Sequence, residues 1–396
     1  MSTTTDELLR LYDKHYELED YQSGVPRWCT GCGDNAILAA VQRLCRDEDL
    51  RPEKTVFVSG IGCSSRFPHY MKTYGLHGIH GRALPIAEGV KMSRPELDVF
   101  VNTGDGDCCS IGTAHWIHAI RYNMNMVVML HDNRIYGLTK KQASPTSPVG
   151  LKSNTTPRGA YLEGLNPLSV TLGVQNVSFV AQAVDWIPEM LYQIIRAAYH
   201  HRGLGFVRIM QRCPEWLPDM FDPWIRDPQR MLLLSSDKGV QVSDGLRKVY
   251  PNVQDYDPGD IHRAREISSQ HDPMPVGVLY RDESAPVYEE VRHAGQLRQA
   301  TRIQSGLEAE FDRFTIWPAG DPRAQDEQRR MHGLRHDVGI DEDPGAHNAA
   351  HDDHGGVEEA KFAGQRAPVS TSMYFAKVMA TAAIPPLCVT SSSAQP

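Results

Sequence analysis

Short uninterrupted apolar runs, not alternating ones, recur along the first half of the chain. Thr55–Ser59 (TVFVS), 97–102 (LDVFVN), 126–130 (MVVML), 177–180 and 205–210 each read as a strand whose two faces are both covered. Between them lie segments with helical spacing of apolar residues: 34–46, a run from the HGRALPIAEG segment toward Ser93, 111–122 and 184–201. Asp34 is expected to cap the first of these. The alternation predicts an α/β fold, a mostly parallel sheet with helices on both faces and right-handed crossovers. Residues 25–234 are expected to form this domain, after a polar arm at 1–24 with an amphipathic helix over 6–16. Within the domain, 151–173 is rich in glycine and proline and is expected to be a long ordered loop.

The strand at 97–102 runs into Gly104-Asp105-Gly106-Asp107. Glycines there allow a sharp turn and close approach of backbone to a ligand. Asp105 falls at the carboxyl end of a parallel strand, where ligands of open α/β sheets bind, and the following helix offers its N–H groups to phosphate oxygens. The next strand delivers Asp132 and Asn133 to the same edge, Asn133 lying 28 residues beyond Asp105. One carboxylate, one amide oxygen and a nearby carbonyl suffice for Mg²⁺ bound together with a diphosphate.

Eight cysteines are present. Cys29 and Cys32 form a CxxC between glycines, Cys63 ends the TVFVSGIGC run, and Cys213 follows a strand and precedes Pro214. Four such thiolates could hold Zn²⁺ or an iron–sulfur cluster, whereas the pair at 29 and 32 alone could be a redox CxxC. Cys45, Cys108 and Cys109 read as buried structural thiols.

The GDG followed by an asparagine resembles the thiamine diphosphate signature. In their order, WCTGCG, SGIGCSSR, HGRALPIAEG, TGDGD, HDNRIYGLTKKQASPT and RCPEW resemble the β subunits of 2-oxoacid:ferredoxin oxidoreductases, and among these the 2-oxoglutarate type. The resemblance covers about 28–218, with a weaker echo at 275–290. It implies thiamine diphosphate and Mg²⁺, with Asp105, Asn133 and the Ile135 carbonyl as metal ligands and Gly104, Gly106, Asp107, Tyr136 and Gly137 lining the cofactor. It implies a 4Fe-4S cluster on Cys29, Cys32, Cys63 and Cys213. The implied reaction is coenzyme A-dependent oxidative decarboxylation of 2-oxoglutarate to succinyl-CoA and CO₂, with electrons passing singly to ferredoxin. Pyruvate is the alternative substrate, and a non-oxidative decarboxylase or carboligase with structural zinc the alternative chemistry. Arg66 and Lys140 are candidate carboxylate anchors and His80 a candidate catalytic group, while His77 reads as structural. Lys141 stands where the family often has glycine. Only one α/β domain is visible, so the glutamate that activates the aminopyrimidine must come from a partner α subunit.

A formal charge of −8, without a basic stripe, argues against general nucleic-acid affinity. No apolar run reaches membrane-spanning length, and the polar start MSTTTDELLR together with a CxxC points to the cytoplasm. Residues 235–314 are expected to form an arm that is partly family-like. Beyond it, 315–396 is expected to be a mostly disordered tail, with a short helix possible at 372–383. Over 331–396 it carries eight acidic residues, four basic ones and five histidines.

Overall fold

In the computed structural model, residues 15–292 are described. The expected helix at 6–16 and the tail fall almost wholly outside that range. Nine strands form one sheet: β1 Thr55–Ser59, β2 Tyr74–His77, β3 Asp98–Gly104, β4 Met126–Asp132, β7 Phe179–Val184, β8 Leu204–Met210, β9 Met231–Ser235, β10 Val253–Asp255 and β11 Met274–Arg281. A separate two-residue hairpin, β5 Ile135–Tyr136 with β6 Gln142–Ala143, rises from the end of β4. The sheet order is β10-β9-β11-β7-β8-β4-β3-β1-β2. All neighbours are parallel except β11 and β7, which run antiparallel with a bulge between Val278 and Tyr280.

Each central strand is buried along its whole length or nearly so, which is why its sequence is continuously apolar. Alternate residues feed two cores. On one face Phe57, Phe100, Met129 and Val207 meet Ile37 and Leu44 of α1 (Gly33–Asp47) and Ile194 and Ile195 of a later helix, Pro188–Tyr199. On the other, Val101, Val128 and Phe206 meet Ala87 of α2 (Ala83–Ser93) and Trp116 of α3 (Thr113–Tyr122), together with Leu168 and Ile267. Each of these large side chains contributes about 1.5–3 kcal/mol by leaving water. Among the described residues no helix is long and apolar enough to cross a membrane.

Several local expectations are corrected. The strand expected at 177–180 runs from Phe179 to Val184, because its pairing with β8 continues to Val184 opposite Met210. The helix that follows therefore starts at Pro188, whose fixed φ suits a first turn. Asn166 caps a short helix, Pro167–Leu172, inside the expected loop, through Leu168 and Ser169 N–H. Nor does the sheet end at Met210: β9, β10 and β11 extend it, and β11 is inserted between β9 and β7. Asp34 is not a cap, since Cys32 holds that position. Buried in the first turn, its carboxylate accepts from His131 Nδ1 at 2.7 Å.

Candidate functional site

Two corners lie side by side at the carboxyl edge of the sheet. The first is built on β3 and β4, whose register places Gly104 opposite His131 and so sets Asp105 beside Asp132. Asp105 is buried, and its Oδ2 accepts hydrogen bonds from Ser144 Oγ at 2.5 Å and Thr146 Oγ1 at 2.6 Å. Thr146 Oγ1 also stands 2.8 Å from Asp132 Oδ1, so a hydroxyl with one proton serves two carboxylates. Asp132 is balanced by Arg208, which donates to Oδ2 from Nε at 2.8 Å and Nη2 at 2.6 Å. Among the described residues no cation forms an ion pair with Asp105, although Arg134 attracts it. Burial, and then the neighbouring Asp132, push its pKa up to about 7.

That imbalance suits a divalent cation: among the described residues a buried carboxylate lacks an ion-pair partner, at the sheet edge that leads into Asn133 and β5. Asn133 Oδ1 accepts from Ile135 N at 3.1 Å, which fixes the turn carrying both groups. Arg134 between them adopts φ 61°. The glycines are required by contact. A Cβ at Gly106 would stand 2.2 Å from the Tyr136 ring, whose hydroxyl donates to Gly106 O at 2.9 Å. After Gly106 a rare π-helical turn, Asp107–Ile111, leads into α3.

Asp107 and His80, expected to serve cofactor and catalysis, are brought together with each other. Asp107 Oδ1 faces His80 Nδ1 at 2.7 Å and accepts from Gly81 N at 2.7 Å and Ile61 N at 3.2 Å. Its Oδ2 accepts from Thr103 Oγ1 at 2.7 Å. This carboxylate is saturated by protein donors and ties three loops together, which leaves His80 Nε2 as the open ring atom.

The second corner is made of loops. Cys29 and Cys32 precede α1, Cys63 opens a 3-10 turn at Ser64–Tyr70, and Cys213 follows β8. The backbone is tied in place by Trp28 Nε1 donating to Cys63 O at 2.7 Å and Gly33 N donating to Arg212 O at 3.1 Å. Burial raises the pKa of Cys32 and of Cys213 and pushes Cys63 up to about 12; neighbouring thiolates add to each shift, as does Asp34 at Cys32 and Cys63. As bare groups these three thiols keep their protons. Among the described residues no three His, Cys, Asp or Glu side chains are gathered tightly enough to chelate a single ion.

The corners meet at Gly137, two residues past Ile135. A Cβ there would lie 3.5 Å from Cys63 Sγ and 3.8 Å from Cys213 Sγ. Beside Cys63 opens a cavity of about 490 Å³ lined by Arg27, Arg66, His69 and His77, with no acidic residue in its walls. Arg66 donates one N–H to Arg27 O at 3.0 Å and keeps the rest of its fork free. His77 Nδ1 is held 2.6 Å from Ser65 O, so its other nitrogen is available. Of these residues the sequence had singled out Arg66 as a candidate anchor and His77 as structural, and had not drawn attention to His69 or Arg27. The available signal was basic residues flanking Cys29 and Cys63. Lys140 is not in this cavity: it and Lys141 occupy an exposed turn, both at φ 70°.

Residues 60–209 match the C-terminal TPP binding domain of thiamine pyrophosphate enzymes, and residues 247–295 match the C-terminal part of the pyruvate ferredoxin oxidoreductase β subunit. The chain is 50% identical over 196 residues to the 2-oxoglutarate oxidoreductase subunit KorB of Mycobacterium tuberculosis, covering 50% of this chain and 52% of that protein. It thus spans about half the length of that relative. To the 2-oxoacid:ferredoxin oxidoreductase β subunit of a Sulfolobus species it is 37% identical, covering 66% of this chain and 84% of that one. The fold is similar to a chain of 2-oxoglutarate:ferredoxin oxidoreductase from Magnetococcus marinus, solved with 2-oxoglutarate, coenzyme A and succinyl-CoA bound. The TM-score is 0.61 at 32% identity, over 81% of this chain and 96% of that chain. A diphosphate-binding fold, a matching C-terminal segment and relatives aligned over most of their length agree: this chain belongs to the β subunits of the 2-oxoacid:ferredoxin oxidoreductases.

Proposed function

We propose that this chain is the cofactor-bearing subunit of a 2-oxoglutarate:ferredoxin oxidoreductase, converting 2-oxoglutarate and coenzyme A to succinyl-CoA and CO₂ while two electrons leave singly for ferredoxin. The observation that carries this reading is the meeting of the two corners at Gly137, where the loop after a metal ligand borders two of the four thiols. Bound thiamine diphosphate supplies an electron sink for decarboxylation, and a 4Fe-4S cluster supplies a one-electron relay. Asp105, Asn133 and the Ile135 carbonyl would hold Mg²⁺, and Gly104 and Gly106 would let the diphosphate approach the backbone. Cys29, Cys32, Cys63 and Cys213 would hold the cluster, and the raised pKa values of Cys32, Cys63 and Cys213 would keep those three neutral until iron displaces the protons.

The acid-free cavity beside Cys63 suits an anionic substrate. Arg66 would grip a carboxylate in its free fork, and His69 and His77 would hydrogen-bond the second carboxylate or the ketone. Lys140, on its exposed turn, would serve at the mouth. The activating glutamate would come from an α subunit. The KorB relative and the 2-oxoglutarate-bound neighbour support the dicarboxylate over pyruvate.

The test is anaerobic purification with the α subunit, followed by iron and acid-labile sulfide analysis and by acyl-CoA formation from 2-oxoglutarate and pyruvate side by side. About four irons per β chain and preference for 2-oxoglutarate are expected. Stoichiometric zinc without sulfide would reject the reading. Arg66→Gln should raise KM for 2-oxoglutarate roughly tenfold or more, the effect of losing a charged hydrogen bond; an unchanged KM removes Arg66 from the substrate.

A further inference from the structure

Thr146, which bridges Asp105 and Asp132, also lines a second cavity of about 210 Å³ that the proposed reaction does not use. The cavity is lined by Gln182, Arg208 and Met210 of the sheet, by Trp224 of the short helix Asp222–Arg226, and by Gln270 and His271 of a loop. Two guanidinium groups reach it. Arg208 is neutralised by Asp132 and donates its remaining Nη1 to Gln182 Oε1 at 3.1 Å.

Arg134 is different. Among the described residues no carboxylate pairs with it, and its Nε is buried without a hydrogen-bond partner. Its guanidinium faces Met220 Sδ, 3.8 Å from Nη1, and the rings of Phe221 and Trp224 at 5.4 and 5.9 Å, while Asp132 and Asp105 attract it without forming an ion pair. Ring faces and a thioether compensate a desolvated cation much less than an oxyanion would. Glu163, the one acidic residue in the lining, is exposed and makes no bond to it.

We propose that this cavity is a binding site for a small carboxylate, with Arg134 as its counter-ion. The planar fork of arginine matches a carboxylate in two parallel hydrogen bonds. Met210, Met274 and Leu168 in the walls suit a short hydrocarbon stem. The volume lies below the roughly 300–1,000 Å³ of pockets for drug-sized ligands, so the occupant is a small metabolite. Because Arg134 stands at φ 61° between Asn133 and Ile135, an anion that pins its guanidinium also steadies the turn presenting both groups to Mg²⁺. Carboxylate and metal–cofactor binding are therefore positively coupled, each tightening the other by the same factor. The coupling rests on the thiamine diphosphate reading; the binding does not.

The test is calorimetric titration of succinate into the αβ complex carrying Arg66→Gln, which disables the cavity beside Cys63. Succinate should still bind at one site per β chain, at least tenfold more weakly after Arg134→Gln and nearly normally after Arg134→Lys. Gln270→Phe, which fills the cavity from a half-buried wall position, should abolish binding even if Arg134→Gln perturbs folding. Binding as tight in the Arg134→Gln and Gln270→Phe proteins as in the Arg66→Gln parent, or no binding once Arg66 is replaced, overturns the site. Tighter binding of inorganic phosphate than of succinate overturns the carboxylate class. Repeating the titration without thiamine diphosphate and Mg²⁺ should weaken succinate severalfold, and an unchanged affinity overturns the coupling alone.

Discussion

The metal corner and the sulfur corner border the same glycine, yet they are built by opposite means. Asp105 and Asn133 ride on the ends of adjacent parallel strands, so sheet register positions them before any ligand arrives. Cys29, Cys32, Cys63 and Cys213 hang on loops brought from three places between residues 29 and 213, and Cys29 is exposed. The strand-borne corner is preorganised and buries one carboxylate beside another; the loop-borne corner takes its shape from contacts between loops. A ligand should therefore sharpen affinity at the first and order the backbone at the second.

The largest test of that contrast is reciprocal deletion. Asp105→Ala should weaken Mg²⁺-dependent thiamine diphosphate binding by at least about 100-fold while leaving cluster absorbance intact. Cys213→Ser should remove or convert the cluster while cofactor affinity changes little. Loss of both properties in either variant would mean that the corners are one constellation.

Next comes pH. On the proposed reading Mg²⁺ requires ionised Asp105, whose pKa is pushed up to about 7. Apparent Mg²⁺ affinity should fall about tenfold per pH unit below that value and level off above it. A flat calorimetric profile between pH 5.5 and 8 would show that the metal does not rest on Asp105. At Gly106→Ala a smaller loss is expected, roughly tenfold in cofactor affinity, because the added carbon must displace the Tyr136 ring. A crystal structure with Tyr136 unmoved would contradict it.

The mildest test lies outside both corners. Glu88 of α2 is buried, its Oε1 has no partner, and burial raises its pKa to about 7. Its folded value exceeds its unfolded one, so the folded state holds an extra proton between about 4.5 and 7 and stability falls as pH rises through that window. Glu88→Gln should then stabilise the chain by on the order of 2 kcal/mol at pH 8 and hardly at all at pH 4.5, as read by thermal melts. Equal gains at both pH values would show that the carboxyl does not titrate in that window.

The sequence revealed what the chain encodes locally. Continuous apolar runs marked β1, β3, β4 and β8, and the nearness of Asp105 to Asp132 was legible because both sit at the ends of successive strands. Long-range partners were not. Asp34 looked like a cap because its true partner, His131, lies on a strand 97 residues away. His80 and Asp107 each looked available for a ligand, and nothing near either showed that they face each other. The exposed edge strand β2 (YGLH) carries no burial pattern, so it read as loop. β11 has an apolar run, but its slot between β9 and β7 is a property of the finished sheet.

That slot has a consequence for biosynthesis. β9 and β10 reach the main sheet only through β11, which pairs with β9 on one side and β7 on the other. A nascent chain that has released residue 210 can already assemble the metal corner, yet β7 keeps a bare edge until Arg281 emerges from the ribosome. A premature stop before Met274 would leave that edge open to neighbouring copies. Such a fragment should precipitate, whereas supplying 274–281 as a separate peptide should restore solubility by completing the row.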